Sequence, residues 1–170
     1  MTLTLALIRH AKSDWDDPRL TDHQRPLNAR GRRAAPRVGE WIADLGLRPH
    51  EALVSDAMRT RETWSYVASH LPSAPVPTLL PGLYLAGPAA MLTHLHAASA
   101  ETVVMVAHNP GTGVLAAMLA ATQPAHPSFG RYPTGAATVL EFSVETWADV
   151  RPGMGQVRGF AVPRDLPDPA

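Results

Sequence analysis

Three short runs in the chain are apolar almost without a break: Leu3 to Ile8 (LTLALI), Ala52 to Ser55 (ALVS) and Thr102 to Ala107 (TVVMVA). Runs of this length that do not alternate mark strands covered on both faces. A fourth stretch, Ala137 to Val144 (ATVLEFSV), alternates apolar and polar residues and suits the edge of a sheet, and a fifth strand spans Gln156 to Val162. Val76 to Leu80 offers a short extra strand, although its prolines argue against a place inside a sheet. Between these runs the apolar period becomes helical. Ala34, Val38, Trp41, Ile42 and Leu45 share one face ahead of Gly46, and Thr60, Trp64, Val67, Ala68 and Leu71 share another. Pro36 lies either in the first turn of its helix or inside a helix that begins near Asn28. Pro88 to Ala98 opens on a proline suited to a helix start, and Pro110 to Ala121 is apolar nearly all round, as a buried helix is. Strands that alternate with helices predict an α/β fold in three layers, α/β/α, with a mostly parallel central sheet.

Composition narrows the picture without changing it. The 170 residues suit one domain, residues 1–170, with the proline-rich tail 163–170 irregular. Lys plus Arg equals Asp plus Glu at 15 each, so no overall field draws the chain to nucleic acid or an anionic membrane. Any affinity for anions has to be local. There is no cysteine, hence no disulfide, no thiolate nucleophile and no cysteine-ligated zinc. The first apolar run is too short for a signal sequence and no segment approaches the roughly 20 apolar residues of a membrane span, so the cytoplasm is the expected location.

In sheets of this kind ligands bind beyond the carboxyl ends of the strands. Each of the three most apolar strands ends in residues that carry chemistry: Arg9-His10, then SDAMRTRET, then AHNPG. Taken singly, an Arg-His pair is ordinary surface, HNPG is a turn, and RTRE is a solvated helix start. At three strand ends of one sheet, Arg9, His10, Arg59 and His108 are placed to converge. Two guanidinium forks and two imidazoles, with no essential carboxylate expected beside them, describe a site for a dianion, most simply a phosphoryl group. Histidine is a competent nucleophile toward phosphorus, and neighbouring arginines hold its pKa down so that its nitrogen stays unprotonated.

These segments, LIRHAKSDW, SDAMRTRET and VAHNPG, resemble the three signatures of the histidine phosphatase superfamily, which has a phosphoglycerate-mutase-like fold. RPLNARGRRAAPRVGEW and YPTGAATVLEF extend the likeness, and with the short length they are similar to the SixA-like branch of phosphohistidine phosphatases. The first signature normally reads Arg-His-Gly, and Ala11 stands in the glycine's place. The resemblance implies that His10 is the nucleophile, that Arg9 and Arg59 grip the phosphoryl oxygens, and that His108 donates a further hydrogen bond. Arg25 and Ser13 are expected to line the pocket, and Trp15 to rim it. No metal and no cofactor is implied, and the partner is a phosphorylated protein or a small phosphorylated metabolite.

Many members of that superfamily take a proton-donating carboxylate from the segment after the second arginine motif, but no Asp or Glu occurs from Thr63 through Ala100. An alkoxide leaves poorly without a proton, whereas the imidazole of a phosphohistidine can be protonated beforehand. The expected activity is therefore that of a protein phosphohistidine phosphatase. The alternatives are a phosphomonoesterase with Asp14, Asp16 or Asp17 as acid, and a catalytically weak module that binds phosphorylated ligands. His94 and His96, two apart on a helix, do not face one another and are not read as a metal pair.

Overall fold

Strand β1 (Leu3–Arg9) lies inside a sheet, and its alternation serves two different cores. Leu3, Leu5 and Leu7 face one layer of helices while Ala6 and Ile8 face the other. The computed structural model describes residues 1–170, with the further strands β2 (Glu51–Ser55), β3 (Thr78–Leu80), β4 (Thr102–Ala107), β5 (Ala137–Phe142) and β6 (Gln156–Ala161). Four helices accompany them: α1 (Ala29–Asp44), α2 (Met58–Ala68), α3 (Pro88–His96) and α4 (Gly111–Leu119). The strands form one sheet in the order β3-β2-β4-β1-β5-β6. The first four in that order are parallel neighbours, and β5 runs antiparallel to both β1 and β6.

The fold is α/β in three layers, as the alternation of elements predicts. Val38, Ile42, Trp64 and Val67 of α1 and α2 pack on Ile8, Val54 and Val106; Met91, Leu95, Leu115 and Leu119 of α3 and α4 pack on Leu5, Leu53 and Met105 on the opposite side. Helix α1 starts at Ala29, where the Asn28 side chain accepts the Gly31 N–H at 2.9 Å, so Pro36 lies inside the helix rather than in its first turn. No helix is long and apolar enough to cross a membrane. The tail leaves a 3-10 turn at Pro163–Asp165 and runs on as coil, held by an Arg37–Asp168 ion pair at 2.7 Å.

Two expectations about strands need correction or completion. β5 is not an edge: it sits between β1 and β6 with all but one residue buried. Its alternation misleads because its polar residues are satisfied within the protein. Thr138 Oγ1 shares a hydrogen bond with the Tyr132 hydroxyl at 2.8 Å, and Glu141 pairs with Arg158 across the ladder at 2.9 Å. The strand foreseen near Val76 to Leu80 forms at Thr78–Leu80 as one of the true edges, beyond its prolines.

Because β2, β4 and β1 are contiguous and parallel, the three segments that follow them emerge side by side. The loop after β1 rests directly on α1: Lys12 O accepts the Asn28 N–H at 3.0 Å, and a Cβ on Gly31 would lie 2.1 Å from that same oxygen. Gly31→Ala therefore forces the loop or the helix to move, and it is expected to cost about 1–3 kcal/mol of stability, read from urea denaturation. An unchanged unfolding midpoint would show that this contact gives way freely.

Candidate active site

His10 continues the sheet one residue past β1, its N–H on Ala107 O at 3.1 Å and its carbonyl accepting from Gly135 N at 2.9 Å. The backbone is thus fixed on both sides, and the ring is only 7% exposed. Its Nδ1 lies 2.7 Å from the Ala11 carbonyl, which can only accept, so Nδ1 carries the proton and Nε2 keeps a free lone pair. Ala11 is buried, and its N–H donates to Thr63 Oγ1 at 2.9 Å; that hydroxyl donates in turn to Arg59 O at 2.7 Å. The residue that replaces the usual glycine is thereby tied to α2.

The structure brings the four principal residues of the sequence reading together. The His108 ring centroid lies 5.4 Å from that of His10, and its Nε2 meets Ser55 Oγ at 2.8 Å. Arg9 Nη1 donates to Tyr132 O at 3.0 Å. Arg59, second residue of α2, is 3% exposed, while Arg61 points to solvent. Three nitrogens in this cluster are buried without a protein partner: Arg9 Nε, Arg59 Nε and His108 Nδ1. Buried nitrogens without partners are uncommon, and here all three belong to groups gathered around one imidazole.

Arg25 and Ser13 also meet, with Arg25 Nη1 donating to Ser13 Oγ at 2.7 Å. The Arg25 guanidinium stacks 3.4 Å over the exposed Trp15 ring. The expectation that no carboxylate stands beside the cluster is overturned by Asp22. Arg59 donates from Nη2 to Asp22 Oδ2 at 3.0 Å and from Nη1 to Asp22 O at 2.7 Å. Arg25 donates from Nη2 and Nε to Asp22 Oδ1, and the Tyr84 hydroxyl donates to Oδ2. Tyr84 also sets its ring edge-on to His108, 5.5 Å between centroids. Both residues escape the sequence reading. One signal for Asp22 was present: Thr21 and Gln24 have capping-box spacing, and the Gln24 side chain does accept the Thr21 N–H at 3.0 Å. The helical turn they start puts Asp22 and Arg25, three apart, on one side.

Of the other acidic candidates, Asp16 is exposed and the rest are engaged elsewhere. Glu62 accepts the Leu27 N–H at 2.8 Å, Asp14 caps the Asp16 N–H, and Asp17 pairs with Arg19 in solvent. His96 lies 2.9 Å from the Val150 carbonyl. Gly111 and Gly113 leave room for neighbours, since a Cβ there would meet Ala86 O at 2.0 Å and Tyr132 Cβ at 2.9 Å.

Burial pushes the His10 pKa down to about 3, with help from the charges of Arg59, Arg9 and Arg25 against the opposing bond to Ala11. Burial likewise pushes His108 to about 3, assisted by His10 and Arg59. Burial alone would raise Asp22, but the hydrogen bonds from Tyr84, Arg25 and Arg59 outweigh it and hold the carboxyl well below the usual range. At neutral pH the site holds two neutral imidazoles and one ionised carboxylate among three guanidinium groups.

A model of the histidine phosphatase superfamily (branch 1) matches residues 5–83. An uncharacterized protein of Mycobacterium tuberculosis is 32% identical over 164 residues, which cover 92% of this chain and all of that one. With these two matches and the motifs now placed in space, the chain belongs to the histidine phosphatase superfamily. Among solved structures, a candidate phosphohistidine phosphatase SixA from Nakamurella multipartitia superposes with a TM-score of 0.79, 24% identity, and coverage of 95% of this chain and 96% of that one. The protein histidine phosphatase SixA complexed with tungstate gives 0.70, 22%, 97% and 99%. In fold the chain is SixA-like.

The two depressed imidazoles make stability depend on pH. Unfolded, they take up protons near pH 6.5; folded, only near 3, so the unfolded state binds more protons in between. Stability is expected to fall as pH drops from about 6.5 toward 3. Urea midpoints at pH 7.5 and 5.0 check this, and equal midpoints would contradict it.

Proposed function

We propose that the chain is a phosphatase, working as a single domain, that forms a covalent intermediate on His10 and acts on phosphohistidine in proteins. The observation that carries this reading is the neutral imidazole of His10, with its Nε2 lone pair free, beside three buried nitrogens that have no protein partner. In this reading Ser55 Oγ donates to His108 Nε2, which puts the His108 proton on Nδ1 as the third donor. A phosphoryl group supplies three oxygens to meet the three donors.

In the first step Nε2 attacks phosphorus and the bond from phosphorus to the leaving group breaks. Charge on the three oxygens is stabilised by Arg9, Arg59 and His108, which are already in place and need no reorganisation. In the second step water attacks phosphorus, the P–N bond breaks, the electron pair returns to Nε2, and the water proton is released with phosphate. The hydrogen bond from Nδ1 to Ala11 O keeps the ring aimed through both steps and stabilises positive charge on it.

Asp22 bears on the substrate. A carboxyl held well below its usual pKa by Tyr84, Arg25 and Arg59 is ionised at neutral pH and has no proton to give an alkoxide. Its role in this reading is to position the two guanidinium groups. An N–P bond, whose imidazole leaves readily once protonated, is then the better match. SixA structures share the fold, and one of them is a complex with tungstate, a tetrahedral oxyanion.

The test is phosphate release from a phosphohistidine protein and from a chromogenic phosphate ester. His10→Ala is expected to lower both rates by about 10^3-fold or more, with wild type favouring the phosphohistidine protein. A variant that matches wild type on both substrates overturns the catalytic reading. A wild type that favours the ester, and loses that preference in Asp22→Asn, overturns the choice of substrate and makes Asp22 an acid.

A further inference from the structure

A cavity of about 370 Å³ opens beside the loop that follows His10, and its lining is cationic. Lys12, Arg30, Arg33, Arg37, Arg131 and Arg164 all contribute to it, and no acidic residue does. Six of the chain's 15 basic residues thus share one concavity in a protein whose formal charge is zero. Three come from α1, where the spacing of Arg30, Arg33 and Arg37 stacks them on one face. Arg131 comes from the turn before β5, Arg164 from the 3-10 turn of the tail, and Lys12 from the loop after β1. Only Arg37 has an ionic partner, Asp168; the other five enter no ion pair and are exposed.

Such an arrangement is not needed for folding. Like charges three and four apart on a helix repel, and nothing in the protein offsets the repulsion for five of these six groups. The cavity has the volume of a small-ligand site, and guanidinium forks on facing segments suit phosphate and carboxylate oxygens. It also adjoins the phosphoryl site through the backbone. Lys12 is two residues past His10, and Tyr132, next to Arg131, gives its carbonyl to Arg9 Nη1.

We propose that this cavity is a second anion site, which takes a compact small molecule bearing two or more phosphate or carboxylate groups. The proposal does not require turnover at His10, so it can be tested whether or not the chain proves to be a phosphatase. Its occupant is held by charges of one sign on three sides, so its affinity falls steeply with added salt.

Isothermal titration at low salt with sodium tripolyphosphate, orthophosphate and hexa-aspartate decides it, using wild type and Arg33→Gln/Arg131→Gln. Wild type is expected to bind tripolyphosphate at least tenfold tighter than orthophosphate. The double variant is expected to lose tenfold or more for tripolyphosphate while keeping its affinity for orthophosphate and its urea midpoint. Unchanged tripolyphosphate binding in the variant overturns the proposal, as does a parallel loss for both anions, which would mean a single shared site. Tighter binding of hexa-aspartate than of tripolyphosphate overturns it in favour of a surface for acidic protein segments.

Discussion

Guanidinium groups placed beside buried imidazoles repel any further positive charge, and the whole site is arranged around that constraint. Asp22 is the carboxylate that makes it tolerable. By receiving Arg25 on one oxygen and Arg59 and Tyr84 on the other, it neutralises part of the charge and fixes two long side chains in one geometry. Burial first, and then the charge that remains uncompensated, holds His10 and His108 unprotonated. The cations add to the effect of burial on the imidazoles, and two of them, Arg9 and Arg59, keep a buried Nε without a protein partner.

The sheet makes the gathering possible. Contiguous parallel strands deliver their carboxyl ends to one rim, and both faces of those strands are sealed by helices. The polar residues of the site thus stand at one end of three strands that are otherwise dry on both faces. Hydrogen bonds from His10 to the strand on one side and the 133–136 turn on the other hold that end still.

Much of this was legible because apolar runs and chemical motifs are both local in sequence. Arg9-His10, Arg59 and His108 announce themselves by following runs that can only be buried strands. What escaped is what depends on contacts through space. Asp22 meets Arg59 across 37 residues and Tyr84 across 62, and no period or spacing relates them. Strand β5 looks like an edge in the sequence because Thr138 and Glu141 look solvated until Tyr132 and Arg158 are seen to satisfy them. The cationic cavity was hidden for the same reason: Arg30, Arg33 and Arg37 look like an ordinary solvated helix face until Arg131 and Arg164 close over it.

The position of β1 has a consequence for synthesis. Its neighbours on either side are β4, paired from Thr4 with Thr102, and β5, paired from Ile8 with Ala137. Synthesis has to pass β4 before β1 finds either partner, and pairings so distant in sequence form slowly. Until then β1 is an unpaired apolar strand, the kind of segment that is prone to aggregate before its partners arrive. Of the six strands, β1 is the one whose pairing partners both lie farthest from it along the chain.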